Sequence, residues 1–323
     1  MPEDSNQTHL YTYKCSLLFC LNLPNVELYR IKTFLFSGEH NENLRMKEVI
    51  EFRIKKKYIH LLSQPHNGRD NGMVYVVKLT KDEPNFEQIR LLDKQIRERD
   101  NEFFFLYSNI ERKYSKNEFE TASLFQMKIK TMFEPAGEEC GTLYDETTSC
   151  EICGANRKQI GLLKLKKNTI PKKDIAVTIA GEIIVSEIFK KALEKRNLKG
   201  LELLPVEFDK GTSDYSQLVA TSEIELSQST IAGINLFDLS VSSEGEIYKC
   251  PKGHTIGLNL LSEAYVINSP SINESDFLVS KQKIGVKRGL LRPEPIYFCS
   301  QTFRKMVVDE KLSGFEFEIA NIE

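Results

Sequence analysis

The chain contains no tryptophan and only five histidines among 323 residues. Four of those, His9, His40, His60 and His66, fall within the first 72 positions. His254 is therefore the single imidazole in the rest of the chain, which leaves it short of the commonest proton-transfer group near neutral pH. No apolar run approaches the roughly 20 residues that a membrane-crossing helix requires. The segment Ser16 to Leu23 is apolar but short, has Lys14 as its only preceding basic residue, and lacks a small-residue cleavage site. That combination argues against a secretion signal. Net charge is also missing: Lys+Arg of 44 against Asp+Glu of 46 gives a formal charge of -2. A general nucleic-acid binder needs a basic surface to neutralise phosphates, so this balance speaks against that class. The run Arg53-Ile-Lys-Lys-Lys57 is basic, and reads as a solvated charged face. Cysteines are sparse (Cys15, Cys20, Cys140, Cys150, Cys153, Cys250 and Cys299), too few for a disulfide scaffold. The expectation is a cytoplasmic protein with reduced thiols.

The pattern along the chain divides it into three. Residues 1–72 are incoherent and end in the turn-rich Gln64-Pro-His-Asn-Gly-Arg-Asp-Asn-Gly72, which suggests a poorly defined extension or an upstream mis-start of translation. A domain is expected to begin at Met73, because Val74–Leu79 is a strong strand pattern. Asn85–Glu98 follows, with Phe86, Ile89 and Leu92 at helical spacing, and further strands are expected near Phe103–Leu106 and Ala122–Met132. Residues 73–135 therefore read as an N-terminal α/β region, and 136–323 as a second, repeat-bearing domain.

The repeat is concealed but ungapped. At a constant offset of 114, Ser186, Phe189, Lys191, Leu198, Gly200 and Glu202 meet Ser300, Phe303, Lys305, Leu312, Gly314 and Glu316. Each copy reads as β-α-β, over about 183–208 and 296–320, which makes the predicted fold α+β with a mixed sheet. Ser186 and Ser300 are expected to be helix N-caps, not nucleophiles, since no histidine accompanies them. Phe189, Ala192 and Leu193 should face inwards, as should Phe303, Met306 and Val307. Phe315-Glu-Phe-Glu-Ile319 alternates, so its glutamates are expected to face outwards. Pro205 predicts an edge or irregular strand.

A cysteine-bearing segment precedes each copy. Cys150-Glu-Ile-Cys153-Gly154 has the spacing of a zinc knuckle, and Cys250-Pro-Lys-Gly253-His254 resembles a degraded version rescued by the adjacent imidazole. Cys150, Cys153, Cys250 and His254 would form a closed Cys3His site holding a structural Zn2+. Two other readings stand beside it. Cys250 and His254 would merely line a loop, or Cys150 and Cys153 would be a redox pair, which usually opens a helix. Cys140 is a further candidate ligand, and Cys299 reads as core. Gly285-Val-Lys-Arg-Gly289 lacks the spacing of a phosphate loop. Lys287, Arg288 and Arg292 read as exposed, and Glu182, Glu263 and Asp276 as isolated acids.

With these motifs, the chain resembles the double-CxxCG-motif immunity proteins of bacterial polymorphic-toxin systems. The resemblance rests on Cys150–Gly154, the remnant Cys250–His254, and the paired Ser-x-x-Phe … Leu-x-Gly units; it covers roughly residues 136–323. Gly253 and His254 depart from the family's second motif. The resemblance implies a non-enzymatic protein that binds and neutralises a cognate protein toxin; the short apolar runs and the near-neutral charge argue against a membrane or nucleic-acid partner. A zinc-ribbon regulatory or nucleic-acid-binding module is the alternative. An enzyme using zinc would require an open coordination position.

Overall fold

Strict alternation builds the first sheet. In the strand Lys47–Lys55, Ile50, Phe52 and Ile54 are fully buried, and between them stand Glu51 and Arg53. This strand lies between Val74–Leu79 and Phe105–Lys113, antiparallel to both, with Arg69–Asp70 at one edge. Helix Pro84–Asp100 covers the sheet with Ile89 and Ile96. The computed structural model describes residues 46–63, 68–208, 214–234, 236–237 and 248–323. Most of the expected extension, residues 1–45, lies outside the described residues, but its end does not. The boundary read at Met73 is too late, because a central strand of this sheet starts at Lys47. Its charged alternate positions, Arg53 and Lys55 among them, disguised it as a solvated stretch. The boundary at 135/136 also dissolves, since Asn43–Glu323 forms one unit.

Two larger mixed sheets and two short two-stranded ones carry the rest, and the fold is α+β, mostly sheet with few helices. The six-stranded sheet contains Ile183–Ser186 and Leu201–Phe208, joined by helix Glu187–Glu194. Between those strands runs Tyr215–Ala220, antiparallel to both. The seven-stranded sheet contains Glu294–Ser300 and Phe315–Ile322, joined by helix Gln301–Asp309. Between these runs Leu124–Ile129, again antiparallel to both. The registers match. Gln217 sits between Ile184 and Leu204, and Gln126 sits between Phe298 and Glu318. Strand Leu201–Phe208 changes partner after Pro205, pairing with Tyr215–Ala220 before it and with Leu163–Leu165 beyond it.

Ser186 and Ser300 cap their helices, accepting from the backbone N–H of Phe189 and Phe303 at 3.2 and 3.1 Å. Each cap hydroxyl also donates to an aspartate, Ser186 to Asp174 at 2.8 Å and Ser300 to Asp276 at 2.6 Å. Both aspartates then reach the turn of the opposite strand-helix-strand segment. Asp174 accepts from the Ser313 N–H and Asp276 from the Lys199 N–H. The glycines next in sequence permit this approach. A Cβ at Gly200 would stand 2.2 Å from the Phe277 carbonyl oxygen, and one at Gly314 would stand 2.4 Å from that of Ile175. The helices bury Phe189, Ala192 and Leu193, and Phe303, Met306 and Val307, in one shared core, with the two phenylalanine rings 6.1 Å apart.

One expectation fails on the last strand. Glu318 does not face water but is 3% exposed. Arg112, from the first sheet, binds it at 3.1 Å and also reaches Glu48 at 3.0 Å and the Leu261 carbonyl at 3.0 Å. Lys128 completes the cluster.

Candidate metal centre

The first ligand pair lies in the turn between the paired strands Leu143–Asp145 and Lys158–Ile160. The Cys150 N–H donates to the Ala155 carbonyl at 2.8 Å, and the Gly154 N–H donates back to the Cys150 carbonyl at 2.7 Å. Gly154 adopts φ +71°, and a Cβ there would come 2.5 Å from Lys287 Cδ. A side chain would meet both strain and a clash.

The second pair precedes strand Thr255–Gly257, which runs parallel to Phe277–Ile284. Its loop is closed in the same way, with the Cys250 N–H donating to the Thr255 carbonyl at 3.0 Å. The inner bond differs. Here the Gly253 N–H returns to the Cys250 carbonyl at 2.8 Å, and Gly253 takes φ +78°. The left-handed glycine thus precedes the second ligand, whereas in the first loop it follows it. The turn is tightened by one residue, and a longer imidazole arm reaches inward from the next position. Lys283 ties this loop to the sheet, its N–H donating to the His254 carbonyl at 2.8 Å.

The structure brings Cys150, Cys153, Cys250 and His254 together, all four ligand atoms lying within 4.8 Å of one another. Cys150 Sγ is 3.9 Å from Cys250 Sγ, and His254 Nδ1 is 3.7 Å from Cys250 Sγ and 3.8 Å from Cys153 Sγ. Around a tetrahedral ion with ligands at about 2.0–2.3 Å, neighbouring donors stand about 3.5–3.8 Å apart. The four residues fit such an ion, and the group can hold a metal. Cys150 and Cys250 are buried, while Cys153 and His254 are half-buried. The backbone N–H groups of Cys153 and Ile152 point at the Cys150 sulfur and hold its thiol below the ordinary range, while burial and the neighbouring Cys150 and Cys250 sulfurs push the Cys153 thiol up. Cys150 is thereby the ligand most readily available as a thiolate.

The other sequence candidates lie elsewhere. Cys140 sits outside the group of four, with burial raising its thiol. Cys299 is fully buried in the shared core. Glu263 accepts from the Tyr114 hydroxyl at 2.8 Å, Asp276 serves the Ser300 cap, and Glu182 accepts from the Tyr144 and Thr178 hydroxyls. Lys287 and Arg288 are exposed as expected, but Arg292 is not, with a side chain only 11% accessible. Asp174 escaped the sequence reading altogether, since no residue pattern marks a cap partner twelve positions upstream. Among the described residues, no helix is long and apolar enough to cross a membrane.

Fold and site together define an α+β protein with a four-residue Cys3His ligand group. No family model matches the chain, and a search of the curated proteins finds no match.

Proposed function

We propose that the chain is a non-enzymatic binding protein of the immunity type, which neutralises a cognate bacterial toxin and carries a structural zinc. The observation behind the structural-metal part of this reading is the convergence of two ligand pairs about 100 residues apart, with all four ligand atoms within 4.8 Å of one another, while the immunity part rests on the resemblance of the motifs. Zinc is the natural occupant of three thiolates and an imidazole in tetrahedral array, and four protein ligands leave no coordination position for a substrate. Such a centre stabilises a scaffold and offers no reaction.

The scaffold itself we read as a duplication. The offset of 114 that aligns the Ser-headed segments also aligns their registers, with Ile184 and Leu204 flanking Gln217 as Phe298 and Glu318 flank Gln126. Each half then comprises a strand lent to the other half's sheet, a metal-ligand pair, and a strand-helix-strand segment. A duplicated, metal-tied scaffold suits a protein whose task is recognition.

The test is direct. On this reading a neighbouring gene encodes a large secreted toxin, and co-expressing the chain restores growth to a bacterial host expressing that toxin's C-terminal domain. Growth arrest undiminished by folded, metal-loaded protein overturns the reading.

A further inference from the structure

The loops gathered at the metal centre carry an excess of positive charge. In residues 149–156, 248–255 and 285–290 the charged side chains, His254 aside, are Glu151, Lys249, Lys252, Lys287 and Arg288, and all five are exposed. None of the four cations has an ion-pair partner among the described residues. A Zn2+ held by three thiolates and an imidazole retains one negative charge, and Glu151 adds another, so the cations still outnumber the negative charges of these loops. The chain as a whole has a formal charge of -2, which sets this face apart from the average surface.

These groups are held close together. The Gly285 N–H donates to the Gly257 carbonyl at 2.9 Å, which fastens the third loop to the strand that follows the second. The stem of Lys287 lies over the first loop, because a Cβ at Gly154 would come within 3.1 Å of its Cβ, Cγ and Cδ alike. Ile152, between the two ligands of that loop, is 58% exposed. Together with Tyr248, Lys249, Val286 and Lys287 it lines one cleft of about 70 Å3. A single exposed aliphatic side chain is ordinary. Here it stands in a cleft between two lysines that have no counter-charge.

We propose that this cleft and its rim are a docking surface for an acidic segment of a protein partner. An aliphatic side chain of that segment packs on Ile152 and Val286, and its flanking carboxylates meet Lys249 and Lys287. Charge complementarity of this kind steers encounter and fixes which partner is accepted. A nucleic-acid strand would also bring negative charge, but it has no aliphatic group for Ile152, and Tyr248 is half-buried where stacking needs an open ring face. The inference rests on the reading of the chain as a binder of another protein, and adds that the face it recognises is acidic.

The test titrates full-length, zinc-loaded, 15N-labelled protein at low salt with the peptide acetyl-Asp-Glu-Leu-Glu-Asp-amide. Backbone amides of Ile152, Lys249 and Lys287 should shift together and saturate at millimolar peptide, and added salt should weaken the complex. The uncharged analogue acetyl-Asn-Gln-Leu-Gln-Asn-amide should leave them unmoved. Protein carrying Lys249→Glu and Lys287→Glu should bind the acidic peptide about tenfold more weakly at unchanged zinc content. Overturning results are an absence of shifts at about 10 mM peptide, equal binding of the acidic and uncharged peptides, shifts confined to other surfaces, or tighter binding of a single-stranded DNA of about ten nucleotides at the same residues. The two peptides are compared on the unaltered protein, so they decide the matter even where the substituted protein does not fold. Rescue from a toxin that is as strong with the substituted protein as with wild type would overturn the acidic surface and leave the immunity reading standing. Peptide binding at the cleft without any rescue would do the reverse.

Discussion

Glu294 shows how far burial and one neighbouring carboxylate can set a residue's behaviour. Its carboxyl is held up at about 7, first because burial penalises the charged form and second because the Glu182 carboxylate is close. The cationic and phenolic groups sharing its cavity walls are Arg292, Lys283, Arg157, Tyr144 and Tyr297, and no ion pair joins Glu294 to any of them among the described residues. The sign follows from linkage. Between its ordinary value of 4.5 and about 7, the folded state binds more protons at this group than the unfolded state does, so stability falls as pH rises. The contribution is fully present below pH 4.5 and lost by about pH 7, and is on the order of 3 kcal/mol. Glu294→Gln should therefore melt higher than wild type at pH 8, with the difference shrinking towards pH 5. Thermal melts of both proteins across that range check it, and parallel curves would discard the assignment. Nothing in Arg292-Pro-Glu-Pro295 announces such a residue, because depth comes from strands far away in sequence. Ser186 and Ser300 were legible for the opposite reason. A cap is written within four residues, so the sequence alone places it.

Helices and short strands followed local pattern closely, as Val74–Leu79 and the inward faces of both Ser-headed helices illustrate. Alternation tells which residues share a face, but not what lies against that face. Phe315-Glu-Phe-Glu-Ile319 gave the period correctly and the environment wrongly, because the first sheet brings Arg112 over Glu318. That ion pair has side chains only 2% and 3% exposed, so both charges are held by each other and by Glu48 and Lys128. Removing one partner strands the rest. Arg112→Met should cost about 3–5 kcal/mol, as breaking buried pairs does. Adding Glu318→Leu should recover part of that loss, since two apolar side chains leave no uncompensated carboxylate at this position. Denaturant unfolding of wild type, both single variants and the double variant completes the cycle. A double variant as unstable as the sum of the singles would mean that the two residues act independently.

Across the whole molecule, the Cys3His group and the two cap aspartates share one arrangement: each brings together residues far apart in sequence. Asp174 holds the Ser313 turn, Asp276 holds the Lys199 turn, and Cys150 and Cys153 meet Cys250 and His254. The ligand pairs are legible in the sequence because cysteine spacing is local, whereas their meeting depends on tertiary placement that only the count of donors hints at. The crossed aspartates were not readable, being set by tertiary register. An ion held by all four ligands would tie loops about 100 residues apart, and so would bind the folded chain far more tightly than the unfolded one. At free zinc a thousandfold above the dissociation constant, that linkage is worth about 4 kcal/mol. Stripping the ion with a chelator should therefore lower the melting temperature and speed hydrogen exchange in both loops together, at Gly154 and Gly253. It should also reach strand Phe277–Ile284, to which the second loop is bonded through Lys283. His254→Ala should reproduce the change without chelator, and added zinc should reverse it only in wild type. Faster exchange confined to one loop would show that each pair is held by its own turn, and that the ion is not what joins the halves.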